Sequence, residues 1–90
     1  MRWRVEYSTD AEDELLSLDK PIRERIRAFV NSIPDFPTGP RMKGAPMKEN
    51  LAGLWRYRVG EYRVLCRIMD DVLLVLVVRI GHRREIYRRG

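Results

Sequence analysis

The sequence predicts an α+β fold: an antiparallel sheet with an N-terminal helical hairpin packed on one face, in the order β-α-α-β-β-β. Three observations predict it. Residues 2–7 alternate strictly between polar and apolar side chains. Residues 9–33 place apolar side chains at helical spacing. From Leu54 onward the alternation returns, punctuated by the turn signals Gly60-Glu61 and Asp70-Asp71.

In the first strand, Arg2–Tyr7, the residues Trp3, Val5 and Tyr7 share one face. Ser8-Thr9-Asp10 then offers capping residues, and Thr9 with Glu12 has the spacing of a capping box. The acids Asp10, Glu12, Asp13 and Glu14 suit the positive end of a helix dipole. This first helix is expected to run to about Leu18, with Leu15 and Leu18 inward. Asp19-Lys20-Pro21 breaks it and opens a second helix, because proline is favoured in the first turn. Ile22, Ile26, Phe29, Val30 and Ile33 form its apolar stripe, opposite Arg23, Glu24, Arg27 and Asn31. Pro34 ends it.

Residues 34–50 contain Pro34, Pro37, Gly39, Pro40, Gly44 and Pro46 and read as a loop, long for a compact domain and so a candidate for function. Within it, Arg41-Met42-Lys43-Gly44 is expected to be a short extended piece that adds positive charge beside the sheet. The next strand, Leu54–Val59, puts Trp55, Tyr57 and Val59 on one face and Arg56 and Arg58 on the other. Gly60-Glu61 has the form of a two-residue hairpin turn. In Tyr62–Ile68, Val64, Cys66 and Ile68 oppose Arg63, Leu65 and Arg67. Val72–Ile80 is almost continuously apolar and reads as a central strand buried on both faces, interrupted near its end by Arg79.

Composition bounds the function. Ninety residues make one domain, 1–90, with a modest core and room for a surface groove rather than a deep cleft. A hydrophobic fraction of 44% beside 34% charged residues is ordinary for a soluble globular protein. Cys66 stands alone, which excludes an internal disulfide and a multi-cysteine zinc site; it reads as a small buried hydrophobe, and a cytoplasmic location fits. Arg2, Arg4 and Glu6 interrupt any apolar leader, so no signal peptide is expected. The longest apolar run, Val72–Val78, is far too short to span a bilayer, and no membrane contact is expected.

Charge is the more telling quantity. Residues 1–53 carry nine Lys/Arg and nine Asp/Glu, whereas residues 54–90 carry nine Arg against Glu61, Asp70, Asp71 and Glu85, so the whole net charge of +5 lies in the second half. A concentrated positive field of arginines without lysine is suited to polyphosphate. Any single exposed arginine is by default a solvated surface residue; Arg67, Arg88 and Arg89 are left with that reading. Arg56 and Arg58 project from the face opposite the helices, and Arg63 and Arg67 join them only if the hairpin register allows. Like charges placed opposite each other imply a compensating anion. After Gly81, the tail delivers His82, Arg83, Arg84 and Tyr87, with guanidinium forks for phosphate and an aromatic ring for stacking. Lys43 and Arg41 extend the same field, and with His82 and Arg84 they are expected to bind RNA. No grouping of acids, histidine and cysteine suggests a metal site, and no cofactor is expected.

Two segments, Leu51-x-Gly53-Leu54-Trp55-Arg56-Tyr57-Arg58-Val59-Gly60-x-Tyr62-Arg63-Val64 and Arg79-Ile80-Gly81-His82-Arg83-Arg84-Glu85-Ile86-Tyr87, resemble the RelE branch of the RelE/ParE toxin superfamily. With the element order, the resemblance covers essentially the whole chain. It implies a toxin of a type II toxin–antitoxin system: a ribosome-dependent endonuclease acting on messenger RNA, neutralised by a RelB-like antitoxin and touching operator DNA only through that antitoxin. It assigns the active site to Arg56, Arg58, Arg63, Arg83 and Tyr87. Well-studied relatives carry lysines where Arg56 and Arg58 stand; the arginines keep the electrostatic role and argue against a general-acid role there, since arginine does not titrate. The chemistry implied is metal-independent attack of a ribose 2′-hydroxyl on the adjacent phosphate, with Tyr87 or His82 handling the proton. A ParE-like inhibitor of DNA gyrase, a non-catalytic RNA- or ribosome-binding module and a purely protein-binding domain use the same fold and charge. In a binding module, Tyr87→Phe would barely matter.

Overall fold

The computed structural model describes residues 2–87. Its elements are β1 (Arg4–Tyr7), α1 (Thr9–Leu16), α2 (Lys20–Ser32), β2 (Ala45–Pro46), β3 (Trp55–Val59), β4 (Tyr62–Met69), β5 (Leu74–His82) and α3 (Arg83–Ile86). Short 3-10 turns cover Ile33–Asp35, Pro40–Met42, Glu49–Leu51 and Asp70–Val72. The expected α+β order of strand, two helices and three long strands is present. Among the described residues no helix is long and apolar enough to cross a membrane.

The five strands lie in the order β1-β5-β4-β3-β2. Strands β2 to β5 are antiparallel throughout. The departure from the expected sheet is at its edge, where β1 pairs with β5 in parallel, Arg4 beside Leu74 through Tyr7 beside Val77. Alternation specifies a face but not a direction, and β1 is separated from β5 by two helices and three strands rather than by a tight turn, so its local pattern does not fix its direction. The sheet ends at β2 with Pro46, a residue suited to an edge because it has no N–H to offer.

Several boundaries differ from the sequence expectation for local reasons. The α1 cap is Ser8, whose Oγ accepts the Ala11 N–H at 3.1 Å, rather than Thr9. The helix ends at Leu16, before Leu18. The turn after β4 takes up Asp70–Val72, followed by Leu73 in the left-handed region at φ 51°, so β5 begins only at Leu74 and Val72 is exposed. The extended piece in the long loop is Ala45–Pro46, whereas Arg41 lies in a 3-10 turn.

The core lies between the helices and one face of the sheet. Leu15, Ile26, Val30 and Ile33 meet Tyr57, Val59, Val64, Cys66, Val75, Val77 and Ile80, all buried. The loop from residue 34 is stitched to this core instead of hanging free. Tyr57 donates its hydroxyl to the Pro40 carbonyl at 2.6 Å and tilts against Phe29 with ring centroids 5.4 Å apart; the Trp55 Nε1–H donates to the Lys43 carbonyl at 2.8 Å. Gly44, at φ 87°, packs so closely on β3 that a Cβ there would overlap the Arg56 carbonyl and the Trp55 ring.

Since β1 covers β5 only as far as Val77, the remaining edge of β5 needs other partners. Ser8 donates its N–H to the Val77 carbonyl at 2.8 Å, and Glu14 of α1 accepts the Ile80 N–H at 2.8 Å and Arg79 Nε at 3.1 Å. A helix carboxylate thus completes a strand edge. Cys66 is fully buried, and burial pushes its thiol well above its ordinary pKa, so little thiolate forms. A disulfide-exchange reagent at pH 8 is expected to leave it unmodified in the native protein and to titrate one thiol after denaturation. Fast native-state labelling would show that the sheet opens at β4.

Candidate nucleic-acid interface

The register of β3 and β4 decides where the arginines go. Arg58 lies directly opposite Arg63, and Arg56 opposite Leu65, so all three arginines stand on the sheet face away from α1 and α2. Arg67, opposite Leu76, is on the same face and exposed. The juxtaposition of Arg58 and Arg63 is relieved by withdrawing one of them. Arg58 is exposed, whereas Arg63 is buried, with Nη1 donating to the carbonyls of Gly60 at 3.0 Å and Tyr62 at 2.9 Å. Among the described residues, the Nε donors of both Arg56 and Arg63 are buried without a hydrogen-bond partner. A buried donor left unpaired costs about 1–3 kcal/mol, and more on a charged group.

The chain then folds its C-terminal segment beneath this face. Gly81 pairs with Arg63, and a Cβ on Gly81 would meet Ile86 Cδ1 at 3.3 Å, so glycine lets α3 lie close to the sheet with Ile86 buried. Tyr87, which caps α3 and is exposed, is brought to a groove of about 560 Å³ that it shares with Arg56 and the segment 45–51. Lys48, Glu49 and Asn50 form the opposite wall. Glu49 holds a left-handed backbone, φ 57°, which a non-glycine residue adopts at a cost and which concentrates at functional sites. Arg56 also lines a second cavity, of about 330 Å³, with Arg58, Tyr57, Phe29 and Lys43. Arg83 pairs with Glu61, the closest atoms being Nε and Oε1 at 2.6 Å.

The structure therefore brings Arg56 and Tyr87 into one groove and sets Arg58 and Arg63 face to face beside it. Other expected binding residues are engaged elsewhere. His82 pairs with Tyr62, whose ring packs on the core side, and meets that ring edge-on with centroids 5.5 Å apart. Its Nδ1 accepts the Arg84 N–H at 3.1 Å as the cap of α3. It lines a separate cavity of about 410 Å³ with Glu14, Leu18 and Glu85, between α1 and α3. Arg41 grips Asp70 with two bonds of 2.9 and 3.0 Å and lies over the Trp55 ring, 5.9 Å from its centroid. That hydrogen-bonded guanidinium holds the Asp70 carboxyl below the usual carboxylate range. Lys43 Nζ sits 5.3 Å from the centroid of Phe36. Arg84 is exposed on α3. Arg88 and Arg89 lie outside the described residues.

Sequence reasoning did not single out Lys48, Glu49, Asn50 or Glu61. The first three belong to a segment without periodicity, and only its folding across β3 makes them a wall of the groove. Glu61 reads as an ordinary turn residue until its partner is seen.

Known proteins share this fold. The chain is 35% identical over 89 residues to Toxin RelG of Mycobacterium tuberculosis, covering 99% of this chain and 100% of that protein. It is 30% identical over 77 residues to Toxin YoeB of Escherichia coli, covering 81% of this chain and 92% of that protein. Its structure matches one chain of the toxin–antitoxin complex RelBE2 from Mycobacterium tuberculosis with a TM-score of 0.81 and 30% identity, covering 94% of this chain and 95% of that one. The isolated RelE toxin of Escherichia coli shares the fold, with a TM-score of 0.70 at 17% identity over 96% of this chain and 92% of that one. The family model for the ParE toxin of the type II toxin–antitoxin system parDE matches residues 5–87. With that span matched, and full-length likeness to RelG, the chain belongs to the ParE toxin family and is a toxin of a type II toxin–antitoxin system.

Proposed function

We propose that this toxin is a ribosome-dependent endoribonuclease that cuts messenger RNA in the ribosomal A site, acts in the cytoplasm and is held inactive by a RelB-like antitoxin. The observation that carries the reading is the groove shared by Arg56 and Tyr87, with Arg58 set opposite Arg63 on the same face of the sheet. In the reaction, the ribose 2′-oxygen forms a bond to the adjacent phosphorus while the bond to the 5′-oxygen breaks. The 2′ proton is removed and the leaving oxygen is protonated, giving a 2′,3′-cyclic phosphate and a 5′-hydroxyl. Arg56, Arg58, Arg63 and Arg83 stabilise the extra negative charge of the transition state, so the route needs no metal. Tyr87 orients the 2′-hydroxyl and offers a ring on which a base can stack. Arginine neither accepts nor readily gives a proton, and a site weak in acid–base groups depends on the ribosome to align the message for in-line attack.

An antitoxin with an acidic segment suits the arginine face, and a similar structure, at 30% identity, was solved as a toxin–antitoxin complex. Contact with operator DNA falls to that antitoxin. A second reading is inhibition of DNA gyrase, favoured by the match to the ParE family model.

The two readings separate in one experiment. Purified protein is added to ribosomes programmed with a defined message, with naked RNA as control, and new 3′ ends are mapped. The nuclease reading expects cuts at the A-site codon only when ribosomes are present, sharply reduced, to a slow residual rate, in Arg83→Ala and in Tyr87→Phe. An intact message in both tubes, together with loss of DNA supercoiling in a gyrase assay, would establish the second reading instead.

A further inference from the structure

We infer that Glu61, in the turn between β3 and β4, is the positioning residue for Arg83, and that this turn organises the arginine site; the inference rests on the nuclease reading. Two contacts tie α3 to the turn. The Arg83 N–H donates to the Glu61 carbonyl at 2.8 Å, extending the β4–β5 ladder one residue past the Tyr62–His82 pair. The Glu61 carboxylate approaches Arg83 at 2.6 Å through Nε. The contact is one of charge, made at the root of the guanidinium and without hydrogen-bond alignment. Among the described residues its two terminal nitrogens make no hydrogen bond, and they form the edge that takes a phosphate in bidentate geometry. The same turn holds Arg63, whose Nη1 is bonded to the carbonyls of Gly60 and Tyr62. Both arginines are therefore referenced to residues 60–62.

The pair is unsuited to a purely stabilising role. The side chains of Arg83 and Glu61 are 48% and 63% exposed, and pairs of that kind contribute little to folding. Of the other acids in the arginine-rich half, Asp70 is occupied by Arg41, Asp71 is exposed at the far end of β4 and β5, and Glu85 lines the cavity between α1 and α3. Glu61 is thus the carboxylate that meets a site arginine among the described residues. A carboxylate beside a phosphate-binding cation has two opposite signatures. As a competitor for Arg83 it would weaken substrate binding, and its removal would lower KM. As a positioning group it acts when charge develops, and its removal lowers kcat instead.

The test is a kinetic cycle on the complete chain with programmed ribosomes, using Glu61→Ala, Glu61→Gln, Arg83→Ala and the double variant Glu61→Ala/Arg83→Ala. Glu61→Ala is expected to lower kcat about tenfold or more with KM nearly unchanged, and Glu61→Gln, which keeps the shape but not the charge, to lose nearly as much. In the Arg83→Ala background, Glu61→Ala should have no further effect, because it acts through Arg83. A lower KM with kcat retained, or losses that multiply in the double variant, would overturn the inference while leaving the nuclease reading intact. Arg83→Ala cutting as well as the wild type would overturn the inference alone, since Glu61 would then have no site arginine to position; a wild type that leaves the message whole would overturn the nuclease reading and the inference with it.

Discussion

Arg56→Ala is expected to lower the single-turnover rate of A-site cleavage by about two to three orders of magnitude, the usual loss when one preorganised donor to a developing oxyanion is removed. The same variant is expected to be as stable as the wild type or slightly more so. Arg56 keeps its Nε buried with no partner among the described residues, lines two cavities and shares the larger with Tyr87. In the absence of an anion such a guanidinium is a cost to the fold, carried for the site it serves. Cleavage rates and urea denaturation measured on one preparation check both halves. An Arg56→Ala protein that is clearly destabilised yet cleaves normally would show that Arg56 braces the β2–β3 edge and takes no part in the chemistry. Arg56→Lys separates charge from geometry: it restores little if the fork is what the phosphate needs.

Tyr57→Ala is expected to destabilise the protein by about 3–5 kcal/mol, the range for deleting a large buried aromatic side chain. Tyr57 is fully buried, packs on Phe29 and holds the Pro40 carbonyl at 2.6 Å. Since a small domain has only about 5–15 kcal/mol in total, this single change removes a large share. Tyr57→Phe isolates the hydroxyl and should cost about 1–2 kcal/mol, leaving a buried carbonyl unpaired. Burial raises the Tyr57 phenol well above its ordinary pKa, so it stays protonated and donating through the neutral and mildly alkaline range. The hydroxyl is also a tie between the sheet and the loop that leads to Lys48 and Glu49. Tyr57→Phe is therefore expected to increase hydrogen exchange across residues 40–50 more than in α1 or β5. Uniform exchange, rising equally everywhere, would mean that the loop is held by other contacts.

The elements themselves were legible because each is written in a local period. Trp55, Tyr57 and Val59 alternate with Arg56 and Arg58, and that pattern alone places the arginines opposite the helices. The apolar stripe of α2 and the proline that opens it needed no tertiary information. The charge asymmetry and the two C-terminal motifs likewise sufficed to mark the arginine half of the chain and Tyr87 as the region of interest, and to suggest the family in which the chain stands.

What the sequence could not decide is what depends on partners far apart in the chain. The direction of β1 is set by its pairing with β5, the last strand of the chain, and alternation is blind to it. Placing Arg63 beside Arg58 requires the hairpin register, and burying it requires the turn carbonyls that receive its Nη1. Arg41 looked like one more free cation, yet Asp70, distant in sequence, takes both edges of its fork. His82 stood next to Arg83 and suggested a shared role, but successive residues leaving a strand point to opposite sides, and its ring went to Tyr62 while Arg83 went to Glu61. Periodicity determined which residues face the helices and which face away; only long-range pairing determined which of the outward charges are already engaged, because a partner distant in the chain leaves no local period to read.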